Sequence, residues 1–312
     1  MLKIQTTQFF PVLATTVFIV GCASNDIPAP QGGVDLTGTG MTRAKGTIVR
    51  VTIEKAAHGS ARGSINIPRQ RAKDGSASFT GTSESSANIE IQNGNKGKST
   101  EIIISKIQQE ENLKSSKIGP LFTGAGTPDG LRKGPLDGKE FTLKVRENGS
   151  WGYPFESYRG FLGNPEFLPK GKVSVGHKWF QPNFVSKVIR AMPESRPGGA
   201  TMPNLNVNVV FNYVKFTEFK GEDCAVIEIS IPKTVKTIQG ASVTVFGSGK
   251  IYRSLDSYRN LKGQVTITMS ANQSQRQRTP AGIASLSMNI STSYEINEKE
   301  EVLSKPESPK AP

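Results

Sequence analysis

Apolar and polar residues alternate with a period of two along much of the chain. Val49, Val51 and Ile53 are interleaved with Arg50, Thr52 and Glu54. Phe141, Leu143 and Val145 alternate with Thr142, Lys144 and Arg146, and Val265, Ile267 and Met269 with Thr266, Thr268 and Ser270. Leu286, Met288 and Ile290 repeat the pattern against Ser287, Asn289 and Ser291. One apolar and one polar face predicts antiparallel strands with a solvated side. The runs Ile102-Ile103-Ile104, Val207 to Phe216 and Ala225 to Ile231 are apolar on both faces and predict central strands covered twice. Asn93-Gly94 and Asn148-Gly149 each lie between two such runs and predict hairpin turns, because these pairs tolerate positive φ, and Lys220-Gly221-Glu222 separates two further strand-like runs. No long segment carries a 3.6-residue period. Pro154–Gly163 is the best helix candidate, and the polar stretch Lys106–Lys117 reads as a helix or a loop.

These elements predict an all-β, mainly antiparallel chain: a large curved sheet, a sandwich or a half-barrel, with at most short helices. The β domain spans residues 45–296. The Gly/Pro-rich segment 119–138 divides it into candidate sub-sheets at 45–118 and 139–296. Residues 297–312 are charged and Pro-rich, and read as a disordered tail.

The N-terminus carries an address. Lys3 precedes an apolar run from Phe9 to Val20, which as a helix would span only about 18 Å, too short for the hydrocarbon core of a bilayer. Residues 1–21 therefore read as a signal peptide. The run ends in Ile19-Val20-Gly21-Cys22, which resembles the lipobox of bacterial lipoproteins. The resemblance implies cleavage before Cys22, acylation of that cysteine, and a membrane partner reached through it. Ala23 stands where an Asp would favour inner-membrane retention, which favours the outer membrane. Residues 22–44 have no apolar period and read as a flexible tether. It would hold the domain on the order of 25 Å from the bilayer.

Composition narrows the chemistry. The 312 residues include 39 Lys and Arg against 26 Asp and Glu, a net charge of +13, with two His and two Cys. That excludes a disulfide scaffold and multi-cysteine metal sites, and neither a metal nor a cofactor is expected. With Cys22 acylated, Cys224 has no partner and reads as a buried, inert thiol. His58 and His177 have no nucleophile beside them in sequence. Gly247-Ser248-Gly249-Lys250 resembles the end of a phosphate loop, but Ile251 follows where Ser or Thr is needed, so it reads as a turn at a strand edge. No particular carboxylate pair suggests a glycosidase.

Two features suggest binding. Arg62, Arg69, Arg71 and Lys73 form a basic cluster, and Gln275-Arg276-Gln277-Arg278 a second one. Neither is interleaved with aromatics for base stacking, so the expected anions are lipid headgroups or acidic glycans, not nucleic acid. Trp151, Tyr153, Phe155, Tyr158 and Trp179 belong to an aromatic-rich stretch that reads as satellite core or as a ligand pocket.

Three groups of short motifs resemble a β-rich domain family of unknown function found in bacterial envelope lipoproteins. They are Gly134 to Phe141 with Glu147-Asn148-Gly149, then Leu168-Pro169 with Val173 to Trp179, then Gly249 to Asp256 with Leu261 to Thr266. The family has Asp where this chain has His177. The resemblance implies an extracytoplasmic β domain and carries no activity. The expected function is thus a membrane-anchored, non-catalytic envelope lipoprotein with a structural or interaction role, its partners lipid, anionic glycan or envelope proteins. The alternative is a carrier for a hydrophobic or anionic envelope ligand. An envelope glycan hydrolase is the third reading.

Overall fold

Alternation sustained over many residues gives strands far longer than the usual five or six residues. The computed structural model describes residues 27–37, 44–92, 101–118, 129–144, 167–190, 205–238, 240–279 and 282–304. In chain order the strands are β1 (Val34–Asp35), β2 (Ile48–Asn66), β3 (Lys73–Ile91), β4 (Glu101–Ile118), β5 (Gly130–Lys133), β6 (Phe141–Lys144), β7 (Lys172–Val173) and β8 (Lys178–Gln181). A seven-residue helix α1 (Phe184–Arg190) follows. Then come β9 (Val209–Phe219), β10 (Glu222–Ile238), β11 (Ala241–Ser254), β12 (Asn260–Thr279) and β13 (Gly282–Ser304).

Eleven strands form one antiparallel sheet in the order β5-β4-β3-β2-β13-β12-β11-β10-β9-β8, with β6 also paired to β4. The sheet is open and does not close into a barrel. The segments on either side of 119–138 therefore share one sheet and do not make two. The first long strand pairs with the last, from Asn66 opposite Ser285 to Ile48 opposite Ser304. Strands β1 and β7 make a separate two-stranded patch.

The core lies on one face at one end of this sheet. Val49, Val51 and Ile53 of β2, Ile89 and Ile91 of β3, and Ile102 and Ile104 of β4 are buried there. Phe211 and Tyr213 of β9, Ile227 and Ile229 of β10, and Val265 and Ile267 of β12 complete the layer. Leu36, Phe167, Leu168 and the buried side of α1 (Phe184, Val185, Val188) belong to the same cluster. Phe184 meets Phe211 edge-on, ring centroids 5.1 Å apart. The Ser186 hydroxyl accepts from the Leu205 N–H at 2.8 Å and donates to the Leu205 carbonyl at 2.9 Å, fixing the chain that leads into β9.

The strands do not stop where the core stops. No described residue of β2 beyond Ala57, of β3 before Gly81, of β12 beyond Met269 or of β13 before Thr292 is buried. These segments are rich in Ser, Thr, Gly, Ala, Asn, Gln and Arg, with Ile65, Phe79, Leu286, Met288 and Ile290 half-buried on one face, and run about 30 Å past the core with no residue fully covered among the described residues.

Four differences from the sequence reading have identifiable causes. Lys106–Lys117 lies within β4. A bulge at Lys106, with φ of 50°, shifts the register and breaks the period. Ile104 and Ile107 thereby both enter the core, though their positions differ by an odd number. Residues 297–304 continue β13, and Glu298 and Glu300 are buried. The Gly247–Lys250 segment is mid-strand in β11, where an added Cβ at Gly247 would stand 2.2 Å from the Thr266 carbonyl oxygen. Finally, the chain joins the core at Ile27, Val34 and Leu36, inside the stretch that reads as a tether.

Hairpins follow the turn chemistry. Lys220 (φ 57°) and Gly221 (φ 75°) join β9 to β10 in a two-residue positive-φ turn, between the two strand-like runs that the sequence separates there. Strands β3 and β4 form the hairpin expected around Asn93-Gly94, whose tip lies outside the described residues. Asn148-Gly149 and Pro154–Gly163 also lie outside them.

The uneven burial predicts uneven backbone protection. Amides of the core end, such as Ile89, Ile104 and Val265, should exchange only on global opening. Those of Ser76–Phe79 and Leu286–Ser291 should exchange by local opening, at least about tenfold faster in hydrogen–deuterium exchange.

Candidate functional site

The sheet order brings together what the sequence keeps apart. The β2–β3 hairpin places Arg62, Arg69, Arg71 and Lys73 at the far end of the sheet, all exposed. Strand β13 is the only strand between β2 and β12, and Arg276 of β12 lies opposite Ser285, which lies opposite Asn66. The register puts Arg62, Arg276 and Arg278 on one face of the sheet, within two strand spacings, roughly 10 Å, of each other laterally. None of the six cations makes an ion pair or a side-chain hydrogen bond among the described residues. Asp74 is the sole acid in the two hairpin ends, residues 58–82 and 270–292. Arg62, Ser64, Asp74, Ser76, Ser287 and Asn289 line an open concavity of about 620 Å³ on this face.

Farther along the same face the charges are mixed, with Lys250 and Lys133 at the two ends of a row of glutamates. Glu54 lies opposite Glu84, and Glu84 opposite Glu110, so three exposed glutamates cross β2, β3 and β4 in one row. The row sits eight positions along β2 from Arg62, about 26 Å. It lies on an exposed sheet face rather than in a cleft. Among the described residues no group of His, Cys, Asp and Glu has the spacing to hold a metal ion.

Opposite this face, at the core end, is an ion network that sequence reasoning missed. Arg253 is 1% exposed, Arg259 5%, Glu298 4% and Glu300 2%. The Arg253 Nε donates to the Leu36 carbonyl at 3.0 Å, and its Nη1 to Asn260 Oδ1 at 3.3 Å. Asn260 Nδ2 donates in turn to Glu298 Oε2 at 3.3 Å. Arg259 and Glu300 form a buried ion pair. Lys55 also joins this region. Burial lowers its pKa, while Glu298 and then Glu111 pull it back up. The network ties the N-terminal segment, the β11–β12 turn and the last strand to one another. A signal existed in the sequence, since Glu298 and Glu300 continue the inward positions of Tyr294 and Ile296 towards Val302. Their charge gives residues 297–304 the composition of a tail.

The remaining candidates separate cleanly. Trp179 is 8% exposed, stacks on Phe211 at 5.5 Å, and donates its indole N–H to the Phe167 carbonyl at 2.7 Å. It is core, with its polar atom satisfied. Trp151, Tyr153, Phe155, Tyr158 and the lipobox Cys22 lie outside the described residues. His177 stacks on Trp179 near the start of β8, and His58 is exposed midway along β2. Lys250, at the end of the glycine segment, pairs with Glu228 at 3.0 Å. Cys224 is fully buried, and burial pushes its thiol up to about 12, with Glu222, Asp256 and Asp223 adding to the shift. Tyr213 is pushed up to about 12 by burial alone.

No protein-family model matches the chain, and no curated protein is similar to it in sequence. Solved structures that resemble it include lipovitellin, described for its lipid–protein interactions, at 12% identity and a TM-score of 0.32 over 86% of this chain and 26% of that one. The secretin-domain β-barrel InvG of the Salmonella SPI-1 injectisome is 8% identical with a TM-score of 0.22, over 86% and 66% of the two chains. A DUF1329 family protein from Desulfovibrio piger is 12% identical with a TM-score of 0.11, over 75% and 83%. The chain thus spans about a quarter of the lipovitellin chain and just under two thirds of the InvG chain. At this overlap the likenesses carry no functional argument, and the reading rests on the chain's own residues. Among the described residues no helix is long and apolar enough to cross a membrane.

Two outcomes follow from the buried groups. Glu300→Ala leaves the Arg259 guanidinium buried without its carboxylate and should cost about 3–5 kcal/mol in chemical denaturation, against about 0.5 kcal/mol or less for exposed Glu301→Ala. On unfolding, Cys224 and Tyr213 return from about 12 towards their ordinary 9.0 and 10.0, so the folded chain holds more protons in between. Stability should therefore fall as pH rises from about 9 to about 12. In melting curves across that range, Tyr213→Phe should make the loss above about pH 10 shallower and leave the Cys224 share, which begins near pH 9.

Proposed function

We propose that this chain is a non-catalytic interaction module of the bacterial cell envelope, held to a membrane through acylated Cys22. The observation that carries this reading is the uncovered far end of the sheet. Four adjacent strands run past the core with one face polar and the other only half-covered, and their ends bear six exposed cations without partners among the described residues. Such a projection adds little apolar burial, so the hydrophobic effect gives no reason for it; it supplies surface. The core end performs the opposite task. Arg253 grips the Leu36 carbonyl and Ile27 packs on the core, so the chain is fixed about five residues after Cys22. A segment of that length spans at most about 18 Å, which keeps the core end close to the anchoring membrane. The absence of a lipobox Asp at Ala23 supports outer-membrane placement.

Fractionation and native mass spectrometry test this. The full chain should float with membranes, and Cys22→Ala should move it to the soluble fraction. The purified chain should show the mass of the acylated polypeptide alone. A stoichiometric extra lipid retained by Cys22→Ala would make it a carrier, and hydrolysis of purified envelope glycan would make it an enzyme. Either result overturns the proposal.

A further inference from the structure

We infer that the far end of the sheet docks on a second bilayer bearing anionic phospholipid headgroups, so that the anchored chain bridges two membranes. The inference deepens the reading above and rests on the Cys22 anchor.

Charge identifies the partner's chemistry. Arg62, Arg69, Arg71, Lys73, Arg276 and Arg278 are exposed at the far end with Asp74 as the only acid in the two hairpin ends. Clustered Lys and Arg at a protruding end are attracted to phosphate-rich surfaces, each adding to the binding. In the two hairpin ends, 58–82 and 270–292, the aromatic rings are His58 and Phe79, and Phe79 packs over Gly59 on the face opposite Arg62, so the cations carry no stacking platform for unstacked bases.

Length identifies which membrane. Asn260 marks the core end of β12, beside Arg253 and the bound Leu36 carbonyl. From Asn260 to Arg278 the strand runs about 60 Å. The segment between Cys22 and Ile27, which packs on the core, reaches at most about 18 Å when fully extended. The cations meet the anchoring bilayer only if the sheet lies flat on the face that carries Arg62, Arg276 and Arg278. That pose lays down a face of mixed charge, where Glu54, Glu84 and Glu110 stand in one row with Lys133 and Lys250. Upright, only the basic far end meets a facing surface.

The test uses the full acylated chain reconstituted into phosphatidylcholine vesicles and mixed with labelled vesicles containing about one third phosphatidylglycerol. Flotation with the first population reports anchoring, and clustering of the two populations reports docking. Clustering should require both the chain and phosphatidylglycerol, and should fall with added salt. It should drop at least about tenfold in the quadruple variant Arg69→Gln, Arg71→Gln, Arg276→Gln, Arg278→Gln, whose melting temperature should match the wild type. Lys250→Gln with Lys299→Gln, which removes two cations nearer the core end, should leave clustering unchanged. A chain that floats without clustering vesicles, or a quadruple variant that clusters them equally well, overturns the inference while the anchor stands. Capture of soluble polyphosphate or salt-sensitive self-association in place of clustering also overturns it. A chain that fails to float removes the anchor and this inference together.

Discussion

The molecule depends on one seam. Strand β2 lies against β13, so the first and last long segments of the chain meet in the middle of the sheet. On one side of the seam the chain runs outward through β3 and β4, and on the other inward from β8 to β12. Each half alone is a meander with an exposed inner edge, and joined they form a continuous surface. The seam also sets the position of the core. Val49, Val51 and Ile53 stand opposite Val302, Glu300 and Glu298, so the inner layer at its centre is part apolar and part ionic. It likewise makes the two basic hairpins neighbours.

That mixture has a physical logic. Buried ion pairs seldom add net stability, because desolvation offsets their attraction. Breaking one is costly, however, and an ionic network accepts only partners of the right geometry. Here the partners come from three distant parts of the chain: Leu36, the turn between β11 and β12, and β13. An apolar patch in the same place would tolerate sliding along the seam. The Arg253–Asn260–Glu298 connection does not, and a strand that repeats Ser at positions 285, 287 and 291 offers little else to fix its register.

Much of the architecture is legible in the amino-acid order because alternation reports directly on which face is wet. The strands, the antiparallel class and the Lys220-Gly221 turn are visible that way, as is the inert thiol of Cys224. Trp179 needed its surroundings before its core role was clear. What alternation hides is every place where parity changes or where charge goes inside. Lys106 flips the parity of β4, so Ile107 through Leu113 look misplaced to a period-two reading. Glu298 and Glu300 keep the parity but carry the wrong polarity for a core. The basic clusters at Arg62–Lys73 and Arg276–Arg278 are visible separately, but their meeting depends on the pairing of β2 with β13, which no local signal announces.

The same seam governs how the chain reaches its folded state. It joins residues more than two hundred positions apart, the most remote class of contact a chain of this length can make. Neither meander can complete its inner edge until the final strand arrives, and closing so large a loop is slow. During that interval β2 presents an unpaired edge whose inner positions are Val49, Val51 and Ile53, an open template for another chain. Ser, Gly and Ala fill most of its outer half, which makes that half a weak template. The small polar residues that leave the far end without a core thus also lower the aggregation hazard of a sheet whose central pairing forms last.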